Sequence, residues 1–437
     1  MTSPFSRRAF LAQGVAAAAA GATIAAGADD SSSADAKSTT TEAPSEKVIL
    51  AVMGTNGRGA ALATAFTKQA GAEVAWICDV DDAAAAKGAA AVVSAGGKQP
   101  KTCRDLRQVL DDKSVDALVV AAPDHWHAPA TILACAAGKH VYCEKPACHN
   151  PQEGEWMVAA ARKHKRVVQI GTQRRSSPMV QEAIARVHRN EIGKVRFARG
   201  WITSTRPSIG HGKAAAPPDR FDYALWQGPA PAQPYRDNVI PYHWHWFWNW
   251  GTGELGNNGI HALDVCRWGL NVAVPLRVTC GGGKLFFDDD QETPDTQLVT
   301  YDYGDKSITW EHRTWNKRGL EGEDFGIIFY GDEGAIAINK RGYQVFDMAG
   351  AEQAAGTFSS GEPEHLQDFL SCIKTGDRPR ADVEVGVNST LLCHLGNIAY
   401  RTGRTVNLDP STSKIRDDAA QQALWQREYN PDWQPRV

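Results

Sequence analysis

The chain has nine cysteines, at positions 78, 103, 135, 143, 148, 266, 280, 372 and 393, but no C-x-x-C pair among them. That spacing excludes the common zinc and thioredoxin-type motifs, and the odd count argues against a closed disulfide framework. Several sit in apolar segments, as Cys78 does in VAWICD, so they read as small buried residues. A surplus of one charge is also missing. With 47 Lys plus Arg against 50 Asp plus Glu, the net charge is -3, which gives no basis for binding nucleic acid or an anionic membrane. After residue 28 no apolar run is long enough to span a bilayer, and no internal repeat is apparent. What remains is 437 residues, 43% of them hydrophobic, enough to bury a sizeable core in two or three domains.

The first 46 residues read as a leader and tether. SRRAFLAQG (6–14) places Arg7 and Arg8 before Phe10 and Leu11, and a mild Ala/Gly-rich segment runs on to Ala28. Paired arginines ahead of a weakly apolar segment match a twin-arginine export signal. Residues 1–28 are therefore expected to be a signal peptide, with Ala26-Gly27-Ala28 a cleavage site. Residues 29–46, polar and without aromatics, are expected to be a disordered linker. This predicts a periplasmic or otherwise exported protein. Twin-arginine export carries folded proteins, which suits an enzyme that loads its cofactor in the cytoplasm.

Residues 47–170 are predicted to form an NAD(P)-binding Rossmann domain. KVILAVMG reads as a buried parallel strand, GTNGRG as the turn after it, and AEVAWICDVD as a second strand ending in acid. The turn lacks one residue of the dinucleotide fingerprint. Gly54 and Gly59 hold the outer positions of G-x-G-x-x-G, but Asn56 stands where the middle glycine belongs. Asn tolerates positive φ better than most residues, and Gly57 follows to supply a close approach. Asp79 lies 25 residues after Gly54, near the spacing at which an acid meets the adenosine ribose. It favours NAD over NADP, an argument that Arg58 could offset. Short strands then alternate with helices, which implies a doubly wound parallel sheet. Ligands collect at the carboxyl ends of such strands, and Pro123, Asp124, His127, Glu144, Lys145, Arg174 and Arg175 all fall there.

With CEKP (143–146), APDHWHA (122–128) and GNNGIHALDVCRWGL (256–270) in place, the chain after residue 47 resembles the Gfo/Idh/MocA oxidoreductases. The resemblance implies a second, C-terminal α+β domain over residues 171–437, with an open, mainly antiparallel sheet that mediates homodimers or homotetramers. It also implies NAD(P)-dependent oxidation of a hydroxyl on a sugar or cyclitol. Lys145 and His261 take the catalytic positions. The dinucleotide would be held by Gly54, Asn56, Gly57, Arg58, Gly59, Asp79, Pro123, His127, Glu144 and Lys145. Many family members carry Asp four residues before the histidine. Here Asn257 stands in its place, and it can neither act as a base nor raise the pKa of His261. Asp264, on the same helical face as His261, reads either as a substrate contact or as a structural residue in a salt bridge with Arg267.

PYHWHWFWNWGTGELG (241–256) leads into the His261 motif. If extended, it turns Trp244, Trp246, Trp248 and Trp250 to one face and His243, His245 and Asn249 to the other. Aromatic faces stack on pyranose rings, so Arg174, Arg175, His243, Trp244, Asn257 and Asp264 are the expected substrate contacts. His243-x-His245 has no third ligand nearby, so no metal is expected. Two reactions fit. One is hydride transfer with a retained NAD, since a periplasm offers no free NAD pool. The other is a redox-neutral glycoside cleavage through a transient keto-sugar, to which Asn257 lends weight.

Overall fold

The computed structural model describes residues 47–409 and 411–437; the expected signal peptide and linker lie outside them. The described chain forms two sheets. The first has order β3-β2-β1-β4-β5-β6 and is parallel throughout. Its strands are β1 (Val48–Met53), β2 (Ala72–Cys78), β3 (Lys101–Cys103), β4 (Ala117–Val120), β5 (His140–Cys143) and β6 (Val168–Ile170). β4 is buried at all four positions, as apolar strands covered on both faces must be. Helices α1 (Arg58–Thr67), α2 (Asp82–Ser94), α3 (Leu106–Asp111), α4 (Asp124–Ala136) and α5 (Pro151–Lys163) make the crossovers.

The second sheet has nine strands, in the order β14-β13-β12-β11-β7-β10-β9-β8-β15. β7 (Phe197–Thr203) runs parallel to β10 (Ser307–Arg313), and every other pairing is antiparallel. The remaining strands are β8 (Arg277–Gly283), β9 (Thr296–Asp302), β11 (Phe325–Tyr330), β12 (Gly334–Asn339), β13 (Gly342–Asp347), β14 (Glu352–Thr357) and β15 (Val406–Asn407). One face packs on α6 (Pro178–His188), α8 (Ile260–Leu270) and α10 (Val383–Thr402), with Ile184, Leu263, Val299, Trp310 and Leu392 in one core. The alternation along β9 turns Val299 and Tyr301 inward and leaves Leu298 49% exposed on the other face.

The chain also returns to the first sheet. Helix α9 (Glu362–Thr375) inserts Leu366, Phe369 and Leu370 among Leu50, Phe66 and Val119. Its apolar stripe therefore covers the parallel sheet. All nine cysteines are unpaired, seven of them buried. Among the described residues no helix is long and apolar enough to cross a membrane.

The Trp-rich run is not a strand. His243–Trp246 is a single 3₁₀ turn. Trp246, Phe247 and Trp250 pack with Ile209, Phe221, Trp226 and Val239 in a separate aromatic core. Burying three large rings against partners from distant segments outweighs the alternation that an extended strand requires.

Candidate active site

A cleft of about 480 Å³ opens at the carboxyl ends of the parallel strands and is closed from the second domain by Tyr242, Trp244, His245, Asn257 and His261. Its inner end is the β1–α1 turn. Gly54 has φ +82°, and a Cβ there would lie 2.6 Å from the Ala122 nitrogen. At Gly59 a Cβ would lie 1.9 Å from the Gly54 carbonyl oxygen, whereas at Gly57 it would meet nothing within 4 Å. Gly59 thus lets the helix start pack on the strand end, and Gly57 leaves room at the mouth. No side chain caps α1, so its first N–H groups are free for an anion. The positive φ falls on Gly54; Asn56 has none and is exposed, its carbonyl accepting from Lys87 Nζ. The tolerance of Asn for positive φ is therefore not what adapts this turn. We expect Gly59→Ala to destabilise the fold by about 1–3 kcal/mol, as overpacking a tight contact does, and to weaken NAD binding; thermal unfolding with and without NAD measures both.

Asp79 lines the cleft at the end of β2 and accepts from the Thr55 N–H (2.6 Å) and the Asp81 N–H (3.0 Å). Burial raises its carboxyl above the usual range. Arg58 is already committed: it pairs with Glu144 at 2.8 Å and with Glu362 at 2.6 Å. It is not free to offset the repulsion between Asp79 and a 2′-phosphate. Burial disfavours the Glu144 carboxylate, but Arg58 and Lys145 outweigh that and hold its pKa below the usual range. His127 is buried, its ring nitrogens 2.6 Å from the Pro146 oxygen and 2.8 Å from the Ala122 oxygen. It ties the turn after β4 to the turn after β5, and Pro123 begins α4 beside it. The open face at Gly57, the uncapped helix start and the acid at Asp79 together fit a dinucleotide.

The chemical end of the cleft joins residues 112 apart in sequence. Lys145 Nζ donates to the Asn257 carbonyl at 2.8 Å and to its Oδ1 at 3.2 Å. Asn257 belongs to a π-helical turn, Leu255–Gly259, that runs directly into α8. Such turns recur at functional sites, and this one sets His261 facing the cleft in the first turn of α8. The Nδ1 of His261 is shielded from solvent and has no hydrogen-bond partner among the described residues. Burial, together with the charges of Lys145, Arg174 and Arg58, pushes its pKa well below 6.5. The imidazole is therefore neutral at pH 7, as a base requires. At the rim Trp244 stacks on His245, ring centroids 3.6 Å apart.

Other expected contacts lie elsewhere. His243 is not at the cleft; the 3₁₀ turn aims its Nδ1 at the Asn238 carbonyl, 2.9 Å away, and presents His245 instead. Arg175 and Asp264 bond each other at 2.8 Å behind the cleft, so the partner of Asp264 is Arg175 rather than Arg267. Arg267 donates to Ser389 and to the Val385 carbonyl. Arg174 lies over the Phe325 ring, and burial lowers its pKa to about 10. Gln173 and Tyr242 line the cleft beyond the expected contacts, as does His245, which shared the expected polar face with His243. The position of Gln173 just past β6 was a usable signal, whereas Tyr242 and His245 depended on the unforeseen turn.

A parallel dinucleotide-binding sheet, joined to a mainly antiparallel sheet with a lysine and a neutral histidine at the seam, defines a two-domain nicotinamide-dependent oxidoreductase. Residues 48–172 match the oxidoreductase family with an NAD-binding Rossmann fold, and residues 208–435 match its C-terminal alpha/beta domain. The chain belongs to the Gfo/Idh/MocA oxidoreductase family and uses NAD as its cofactor. It is 24% identical to the scyllo-inositol 2-dehydrogenase (NAD(+)) of Bacillus subtilis over 71% of this chain and 82% of that protein. The identity to the myo-inositol 2-dehydrogenase of Thermotoga maritima is 22%, over 71% of this chain and 84% of that one. In fold it is similar to the WlbA dehydrogenase of Bordetella pertussis, solved with NADH and UDP-GlcNAcA: the TM-score is 0.64 at 19% identity, covering 83% and 99% of the two chains.

Proposed function

We propose that the protein is an NAD-dependent dehydrogenase that oxidises a secondary hydroxyl of a sugar or cyclitol, with Lys145 and His261 as its catalytic residues. The observation that carries this is the buried His261, whose Nδ1 has no hydrogen-bond partner among the described residues, in the same cleft as Lys145. When bound, NAD would supply the hydride acceptor, and Gly54, Gly57, Pro123 and Asp79 would hold it. Lys145 orients the substrate hydroxyl and stabilises the alkoxide that forms as the proton leaves. His261 takes that proton. Trp244 and His245 offer a stacked aromatic rim to the apolar face of the ring. The inositol dehydrogenases among the relatives support the substrate class.

The pH profile tests the base. A base with a depressed pKa stays active as pH falls until that pKa is reached. The acid limb of kcat/KM, which reports the free enzyme, is therefore expected below pH 6.5. A limb above pH 7 would remove His261 from this role.

The export reading rests on Arg7-Arg8 and the segment after them. In a compartment without free NAD the cofactor would stay bound through turnover. Denaturing the purified protein should then release nicotinamide dinucleotide in about one equivalent, and an empty supernatant overturns retention. The free face around Leu298 favours a homodimer or homotetramer, which light scattering decides. Asn257 favours a second reaction, because it brings no carboxylate to His261 at the position where many family members carry Asp: cleavage of a glycoside through a transient ketone, with no net NADH. Release of reducing sugar without NADH, lost when NAD is stripped, distinguishes it.

A further inference from the structure

A second cavity, of about 350 Å³, shares no lining residue with the catalytic cleft. Trp248, Asn249, Gly251 and Thr252 form one wall with Pro231, and the rest comes from the start of α5, from α10 and from Leu424 and 426–428 of the C-terminal segment. Two guanidiniums face it, and neither has a carboxylate within ion-pair distance among the described residues. Arg427 donates to His149 Nδ1 and to the Asn249 carbonyl, both at 3.0 Å. Arg401, in the last turn of α10, lies over the Trp248 ring with its carbon 5.0 Å from the centroid.

Glu153 and Glu292 lie close enough to Arg427 and Arg401, respectively, to favour their charged forms, but neither forms an ion pair with them. Because His149 Nδ1 accepts from Arg427, its proton is on Nε2, which donates to the Trp248 carbonyl at 3.0 Å. The ring is neutral, in line with a pKa that burial, and then Arg427, drives well below 6.5. Glu153 lies fully buried beneath, bonded by the His149 N–H and the Tyr429 hydroxyl. Burial pushes its carboxyl up to about 7, against the opposing pull of Arg427, which weakens its hold on that guanidinium. Glu292 takes the Trp248 N–H, and Glu428 on the wall is exposed. The 13-residue helix α5 adds its positive end, with Asn150 and Pro151 lining the cavity.

We infer that this cavity is a second binding site, for a small molecule bearing an oxyanion, phosphate or carboxylate, held between Arg401 and Arg427. Charge-assisted hydrogen bonds from two unpaired guanidiniums select such a group. The site is independent of the dehydrogenase reading, because its occupancy is measured without turnover.

Titration calorimetry on the NAD-loaded protein, in chloride at constant ionic strength, tests it with inorganic phosphate and separately with gluconate. Saturable binding of either is expected, and which one binds names the anion class. Arg401→Gln and Arg427→Gln should each weaken binding at least about tenfold, the worth of one charged hydrogen bond. Lys145→Ala should leave it unchanged, which separates this cavity from the cleft. Arg401 is solvent-exposed, so its variant decides if Arg427→Gln does not fold. No saturable binding of either anion, binding that survives the arginine substitutions, or binding lost in Lys145→Ala overturns the inference.

Discussion

Lys145→Ala and His261→Ala are each expected to lower turnover by roughly 10²–10⁴-fold while NAD stays bound. The size follows from the parts removed. A positioned base contributes about 10²–10⁴-fold, and one donor aimed at a developing oxyanion about 10²–10³-fold. Neither side chain carries a structural load that would confuse the result. Among the described residues Lys145 Nζ bonds Asn257 alone, across the cleft, and His261 Nδ1 bonds nothing. Single-turnover rates measured beside cofactor content check this; near wild-type rates in both variants would dismiss the assignment. Asn257→Asp offers a finer control. A carboxylate four residues before His261 favours the imidazolium and should move the acid limb of kcat/KM upward, because the base then loses its free form at a higher pH. If the limb stays put, the residue at position 257 does not govern His261.

The first half of the chain was legible because its signals are local. Strand β1, the glycine turn and Asp79 follow from apolar runs, one tight turn and a spacing. The alternation of strand and helix then places Lys145 at a strand end. That Lys145 and His261 share one cleft was accessible only through the family resemblance. What the sequence hid was set by contacts between distant segments. The alternating tryptophans suggested a strand, but Trp246 and Trp250 are held by Phe221 and Trp226, and the resulting turn exchanges His243 for His245 at the cleft. Arg58 looked free to meet a phosphate, and only the fold brings Glu144 and Glu362 to it. The substrate contacts expected of Arg175 and Asp264 failed for the same reason: each found a charged partner whose distance in sequence gave no hint of it.

That pair is the site of the largest expected loss of stability. Arg175 and Asp264 are 8% and 1% exposed. The Arg175 Nε lies 2.9 Å from both Asp264 oxygens, and Ser389 Oγ donates to Oδ1 at 2.6 Å. Arg175 sits just after β6, Asp264 on α8 and Ser389 on α10, so the carboxylate ties the parallel sheet's last turn to two helices of the second core. Removing one partner leaves a buried charge uncompensated, which costs about 3–5 kcal/mol. Arg175→Leu is therefore expected to unfold at a much lower temperature than the wild type. The double variant Arg175→Leu with Asp264→Leu should recover a large part of the loss, because apolar residues of similar volume need no compensation. Thermal unfolding of the two single variants and the double, treated as a cycle, gives the coupling. Additive losses would show that the pair is not coupled across this seam. The same variants bear on catalysis, since α8 also carries His261 one turn before Asp264. Loss of the tie should lower kcat more than it raises KM, because it displaces the base rather than a substrate contact.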